Sequence, residues 1–291
     1  MDAADTMAAG ARRAYGALPS SARRRVTNGL GRIRGRRLAR ENTELLNTAD
    51  LAVGGFEGKR VLEVGSEATG ALLRDICAKY GAAEAIGVNP LFRAQTIGPR
   101  SRLEQVDARD MEFADSSFDV VVSVSAFEHI HRLDEVVAEC HRVLRPGGVM
   151  YSHFGPIWST PYGHHLWLTE GARTLTYANV ILPPWCHLLR SRDELLELCA
   201  DEHGMALAER IVDYILDSDD QNQLFFDDYE QIITSSEFES VFLKGYDVPA
   251  LMSLYPEAQK LELLDELNAR FPHRTGFLYD GIVMLVRKSA D

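Results

Sequence analysis

The chemistry available to this chain rests on five histidines and a handful of acids. His129, His131, His153, His164 and His165 fall near the ends of the strands expected below. Imidazole exchanges a proton near neutral pH, so a histidine at a strand end is suited to general-base work. His153, where a strand runs into a loop, is the best placed, and His131 reads as surface. His164 and His165 are adjacent in the loop PYGHHLW. Neighbours on a loop usually point apart, but one of them together with His153 or Glu128 would make a divalent-metal site that orients a diol or acidifies a hydroxyl. The competing reading is a histidine bonded to backbone while Trp158, Tyr162 and Trp167 pack as a lid. Those aromatics also suit a pocket for a planar or sugar-like molecule. The acidic run Asp217, Asp219, Asp220, Asp227 and Asp228 reads as a solvated face.

These residues need a scaffold, and the stretch Lys59 to Asn89 supplies its centre. Val61 to Val64 reads as a short buried strand. A turn bounded by Gly65 and Gly70 follows, then a helix whose apolar positions Leu72, Leu73, Ile76, Cys77 and Tyr80 share one face. Gly81 can end that helix, and Ala83 to Val88 reads as a second strand ending at Asn89. A strand–turn–helix–strand unit places backbone N–H groups and a helix N-terminus at the carboxyl ends of its strands, where a nucleotide-like ligand binds.

Downstream, a stretch from Ser101 ends in Asp107, and Phe118 to Ser125 is a β-branched run expected to be a buried strand. A helix is expected from Leu133 to Leu144, stopped by Arg145-Pro146-Gly147-Gly148, and a strand from Val149 to Phe154. Ser191-Arg192-Asp193-Glu194 has the form of a capping box for a helix running to His203. Ala206 to Leu216 reads as the sixth strand and Phe277 to Lys288 as the seventh. Between them, residues 217–275 read as a helical cap, with helices near Glu237–Lys244 and Glu257–Phe271. This alternation implies a parallel sheet covered by helices on both faces.

Three motifs in order resemble those of the class I S-adenosylmethionine-dependent methyltransferases. Glu63-Val64-Gly65-Ser66-Glu67-Ala68-Thr69-Gly70 is similar to the family's first motif, E-x-G-x-G-x-G, with Glu67 at the middle glycine and Gly70 one residue late. Glutamate tolerates a left-handed backbone poorly. The run from Asp107 to Ile130, with Phe127-Glu128-His129, resembles the stretch ending in a leucine–glutamate–histidine triplet, and Arg142 to Gly148 (RVLRPGG) resembles the turn before the fifth strand. The resemblance covers roughly residues 55–155.

It implies an α/β, Rossmann-like, seven-stranded and mostly parallel sheet, with the helical insertion between the sixth and seventh strands. It implies methyl transfer from S-adenosylmethionine to a small-molecule acceptor, most readily at oxygen; the acidic body and the large insertions favour a hydroxyl of a glycan precursor or secondary metabolite. It assigns cofactor contacts to Glu63, Gly65, Ser66, Gly70, Asn89, Asp107, Ala108 and Val124. Asn89 stands where the family has an acid; an amide still offers a donor and an acceptor to two vicinal hydroxyls, without the charge. Asp107 matches the acid facing the exocyclic amine of adenine. His129 matches a position with a structural role, and His153 and His129 are the catalytic candidates. His164 and His165 are the metal candidates. Two rivals stand beside this reading: a fold relative doing metal- and histidine-assisted chemistry without methylation, and a non-catalytic binding protein whose pocket decayed at Glu67 and Asn89.

Composition sets the outer bounds. With 291 residues, 46% hydrophobic and 25% charged, the chain can bury one large core. Its net charge is −12, yet residues 1–40 hold ten arginines against Asp2 and Asp5. The domains expected are thus a basic, partly helical arm over residues 1–50 and the catalytic domain over residues 51–291. An acidic body argues against extensive nucleic-acid binding, while the arm suits an anionic surface or a cover over the cofactor pocket. Four scattered cysteines without a C-x-x-C give no disulfide framework or zinc site. No apolar run reaches the length of a membrane span and no signal-peptide core precedes the arm, so the expected location is cytoplasmic, with peripheral membrane contact through the arm. A homo-oligomer is compatible with all of this.

Overall fold

The computed structural model describes residues 43–171, 173–177, 182–246 and 256–291. The chain divides into two units, residues 1–51 and 52–291. In the first, residues 43–51 are helical, and the arm expected over residues 1–50 lies, up to residue 42 and with all its arginines, outside the described residues. All that follows concerns the second unit.

In chain order its elements are β1 (Arg60–Val64), α1 (Ala71–Lys79), β2 (Glu84–Val88), β3 (Gln95–Gly98), β4 (Ser101–Glu104), β5 (Phe118–Val124), a 3-10 turn (Phe127–His129), α2 (Leu133–Val143) and β6 (Leu144–Phe154). Then come β7 (Trp167–Glu170), β8 (Arg173–Thr176), α3 (Cys186–Leu189), α4 (Arg192–His203), α5 (Met205–Asp217), α6 (Phe226–Thr234), β9 (Glu239–Tyr246), α7 (Glu257–Arg270) and β10 (Gly281–Arg287).

Eight strands form one sheet in the order β3-β4-β2-β1-β5-β6-β10-β9. The pairs β1–β2, β1–β5, β2–β4 and β5–β6 are parallel; β3, β9 and β10 add antiparallel strands at the flanks. Val61, Leu62 and Val64 of β1 and Val120 to Val122 of β5 are buried, as strands covered on both faces require. The covering is visible at β2. Ile86 and Val88 point into the core shared with α2 and α6. Gly87 points the other way, where an added Cβ would lie 2.6 Å from Ser66 and 2.8 Å from Leu73 of α1. Strand order reverses between β1 and β5, opening a crevice at their carboxyl ends.

The α/β, mostly parallel, Rossmann-like sheet matches expectation, and its later half does not follow the predicted order. Ala206–Leu216 is not the sixth strand but lies in helix α5, with Ala208, Ile211, Val212 and Ile215 buried at helical spacing. The sixth strand of the family pattern is β9, over much of the segment read as a helix near Glu237–Lys244. The helical insertion therefore precedes that strand: the β7–β8 hairpin and α3 to α6 all intervene, and α7 alone among the described helices lies between β9 and β10. An extra edge strand, β3, makes eight rather than seven. The Arg145–Gly148 segment is a bulge inside β6 rather than a turn before it, since pairing with β5 jumps from Phe118–Leu144 to Val120–Val149.

Two local devices hold this frame. Ser191 and Glu194 form both halves of the predicted capping box, at 3.3 Å and 2.7 Å, which contributes about 1 kcal/mol to α4. Arg142 of α2 donates to the carbonyls of Met111 and Phe113 at 2.7 Å and 2.8 Å and pairs with Glu139 and Asp115, pinning the loop between β4 and β5. All four cysteines are free and buried.

Candidate functional site

A cleft of about 400 Å³ opens at the carboxyl ends of β1, β2 and β5. Its lining includes Val64, Gly65, Asn89, Asp107, Ala108, Ser125, Ala126, His129, His131 and Asp220. The turn after β1 shapes one wall. Gly65 has φ +82° and an added Cβ would sit 2.2 Å from the Cβ of Ala126, so glycine is required both by backbone conformation and by space. The N–H groups of Gly65 and Ser66 donate to the Val88 carbonyl at 3.0 Å and 3.2 Å, tying the turn to β2. Glu63, 4% exposed, accepts from Ser66 Oγ at 2.7 Å, and burial pushes its pKa up to about 7.

The departure at Glu67 costs the backbone little, because the left-handed residues of this turn are Gly65 and Gly70, and Glu67 is not one of them. Its carboxylate accepts from Thr69 Oγ1 at 2.6 Å and from the Ala71 N–H at 3.3 Å, a negative charge at the positive end of α1. Gly70, the N-cap, could not carry a Cβ without meeting the Ile97 side chain at 2.6 Å.

Across the cleft, Asn89 forms an Asx turn: Nδ2 donates to the Ser66 carbonyl at 3.0 Å and Oδ1 accepts from the Leu91 N–H at 2.9 Å. One N–H and one lone pair remain for a ligand. Asp107 is gripped by Arg109, whose Nη2 and Nε donate at 2.6 Å and 3.0 Å and whose backbone N–H donates at 3.0 Å. These hydrogen bonds hold its carboxyl below the usual carboxylate range. Val124 does not line the cleft; its successors Ser125 and Ala126 do, Ser125 with φ +49°.

The histidines separate into three places. His129 and His131 line the cleft, and each ring donates to a backbone carbonyl: His129 Nδ1 to Asp220 at 2.5 Å and His131 Nε2 to Asp219 at 2.9 Å. The segment after α5 is thus a strap across the cleft rather than a purely solvated acidic face. Asn222 fastens it, donating to Phe127 and Ile130 carbonyls at 2.7 Å and 3.1 Å while its own N–H bonds the Glu128 carbonyl at 2.9 Å. Asp227 and Asp228 bind Thr275 and Arg274.

His165 joins this group and His164 leaves it. The His165 ring lies 4.9 Å from that of His129, and ligand-type atoms of Glu128, His129 and His165 all fall within 4.8 Å of one another. Glu128 is 1% exposed; Oε1 accepts from the Gly155 N–H at 3.0 Å and Oε2 has no partner. Burial raises its pKa to about 7 and lowers that of His165 to about 3. His164 faces His187 instead, with ring centroids 5.8 Å apart, and accepts from the Leu166 N–H at 3.3 Å.

His153 is outside the cleft lining. Its ring stacks on Tyr246 at 4.6 Å and 8°, and burial lowers its pKa. The three aromatics do not form one lid: Tyr162 is buried, Trp158 sits edge-on to His187, and Trp167 is exposed on β7. The sequence pattern passes over Arg109 and Asn222 and takes Asp220 for a solvated acid. The Asp107–Arg109 spacing was a usable signal; a carbonyl that clamps a histidine leaves none.

Residues 62–152 match the family model for a methyltransferase domain. The chain is 32% identical over 105 residues to the ubiquinone biosynthesis O-methyltransferase of Agrobacterium fabrum, covering 33% of this chain and 41% of that protein. It is 36% identical over 103 residues to a sterol 24-C-methyltransferase of Aspergillus fumigatus, covering 32% of this chain and 27% of that one. The chain spans less than half the length of these relatives. In fold it is similar to geranyl diphosphate C-methyltransferase from Streptomyces coelicolor A3(2), with TM-score 0.51 and 12% identity over 87% of this chain and 81% of that chain.

Proposed function

We propose, from the premise that this chain carries a class I S-adenosylmethionine-dependent methyltransferase domain, that it transfers a methyl group from S-adenosylmethionine to a small-molecule acceptor, at oxygen. The observation that carries this reading is the cleft that gathers Gly65, Asn89, Asp107 and Ala108 at the point where strand order reverses. Its donor set fits the cofactor. Asp107 offers a carboxylate to the exocyclic amine of adenine and Ala108 a backbone N–H beside it. Asn89 keeps a donor and an acceptor for the ribose. The Gly65–Ser66 turn, steadied by Glu63, receives the amino-acid end. When bound, the cofactor supplies an electrophilic methyl on a sulfonium.

The chain's task is to hold the acceptor in line and keep water out. Activation of a hydroxyl falls to His129, which lines the cleft, with Glu128 and His165 beside it. His153, outside the lining, is left a packing role against Tyr246. Glycan precursors and secondary metabolites remain the favoured acceptor classes, on the acidic body and the large insertions. Carbon methylation is the second reading, favoured by the sterol and geranyl diphosphate relatives.

Isothermal titration with S-adenosylmethionine and S-adenosylhomocysteine tests the pocket. Micromolar binding is expected, weakened at least about 10-fold by Asp107→Ala, which deletes a charge-assisted acceptor. Absence of heat with both ligands, with none released on denaturing the protein, would sink this reading and favour a pocket closed by the Asn89 Asx turn.

A further inference from the structure

We propose that Glu128, His129 and His165 bind a divalent transition-metal cation on the wall of the cleft, where it takes an acceptor bearing two oxygens that can chelate, such as a vicinal diol or a hydroxy-carbonyl. Geometry is the first support. One carboxylate oxygen and one nitrogen from each ring lie within 4.8 Å of one another, a separation an ion closes by drawing the three ligands in.

Unmet valence is the second. Glu128 Oε2 and His165 Nδ1 are both buried and both lack a hydrogen-bond partner. Buried polar atoms are nearly always paired, and two orphans in one cluster call for a shared partner. A cation supplies it to a carboxylate oxygen and an imidazole nitrogen alike.

The surroundings are those of a ligand set. His129 donates Nδ1–H to the Asp220 carbonyl, which fixes its tautomer and leaves Nε2 as the nitrogen with a lone pair. The ring of His165 is held by stacking on Tyr177 at 5.3 Å. His165 also takes a left-handed backbone, φ +45°, a conformation that bulky residues keep where the surroundings impose it. Glu128 is oriented by the Gly155 N–H.

The donors select the ion. Two imidazoles and one carboxylate suit zinc, manganese, iron or cobalt in the divalent state, while magnesium and calcium prefer oxygen alone. Three protein ligands leave coordination positions open for substrate oxygens. His129 borders the cofactor cleft, so an acceptor held there sits beside the methyl donor. The site itself stands on the three side chains; its use in catalysis rests on the methyltransferase reading above. With an ion in place, His129 acts as a ligand rather than as a free base.

The test uses tag-free protein stripped with a chelator, titrated calorimetrically with Zn²⁺ and, in parallel, with Co²⁺ followed by visible absorbance. One ion per chain is expected, with d–d bands for Co²⁺. Glu128→Gln and His165→Ala should each weaken binding by at least about 100-fold, more than the loss of an outer partner brings. Glu128→Gln retains side-chain volume and the acceptor for Gly155, so an unchanged melting temperature there separates ligation from folding. Wild-type protein that binds Zn²⁺ no more tightly than the two variants overturns the site. S-adenosylhomocysteine is titrated alongside: binding of it without Zn²⁺ binding overturns the ion site alone. Zn²⁺ binding without it upholds the site and sinks the methyltransferase reading.

Discussion

Glu63 is a carboxyl group placed where charge is costly, and its surroundings can be read out with pH. Burial raises its pKa from 4.5 to about 7 in the folded chain, against an unfolded value near the ordinary one. A group whose folded pKa is raised contributes stability that is complete below its unfolded pKa and is lost as pH rises through the folded one. Stability from Glu63 should therefore fall between about pH 4.5 and pH 7, by on the order of 3 kcal/mol. Urea unfolding of wild type and Glu63→Gln at pH 5 and pH 8 isolates it: the variant should lose less stability over that interval, and parallel pH profiles would refute the assignment. Gly65 gives a second residue-scale prediction. Gly65→Ala forces a Cβ to within 2.2 Å of Ala126 at φ +82°; it should cost about 2–4 kcal/mol by denaturant melts. Glu63, Gly65 and Asp107 were legible in the sequence because a motif constrains residue type at fixed spacing. His165 was legible as a metal-ligand candidate and His164 was its equal on paper. Which of two adjacent rings turns toward Glu128 depends on the loop's backbone, which no side-chain pattern records.

Among the elements, α2 and the strap after α5 position the cleft. Arg142 reads in sequence as part of the RVLRPGG motif; in the fold it carries the loop leading from Asp107 toward β5, through Met111 and Phe113. Arg142→Ala should lower stability by about 2 kcal/mol and weaken cofactor binding without touching the cofactor, as melts and titration together would show. Asn222→Ala should speed amide exchange at residues 127–131, because it releases the Phe127 and Ile130 carbonyls at once; unchanged exchange there would mean the strap is held elsewhere. The α/β alternation up to Phe154, apart from the edge strand β3, is readable in the sequence, since β-branched runs and glycine turns mark it. Beyond that, α5 reads as a strand because Ile211, Val212, Tyr214 and Ile215 have strand propensity, and the burial of Ala208, Ile211, Val212 and Ile215 at helical spacing decides otherwise. β9 reads as a helix in sequence because this outer strand is exposed or only partly buried and shows no alternation.

For the molecule as a whole, protection should follow depth in the sheet. β1 and β5 lie in its middle and are buried almost throughout, while β3 at one edge and β7 of the separate hairpin have no buried residue. Hydrogen exchange should be slowest at β1, β5 and β6 and fastest at β3 and β7–β8. Fast exchange in β1 would contradict the central placement.

The carbonyl clamp on His129 and His131 has a bearing on how this protein can diverge. Every residue owns a carbonyl, so exchanging Asp219 for another side chain leaves its grip on the ring intact. Asn222, whose amide does the fastening, has no such latitude. Drift could therefore scramble the loop around the cleft while the two imidazoles stay aimed as they are, and descendants with unlike sequences there would still share one arrangement of rings.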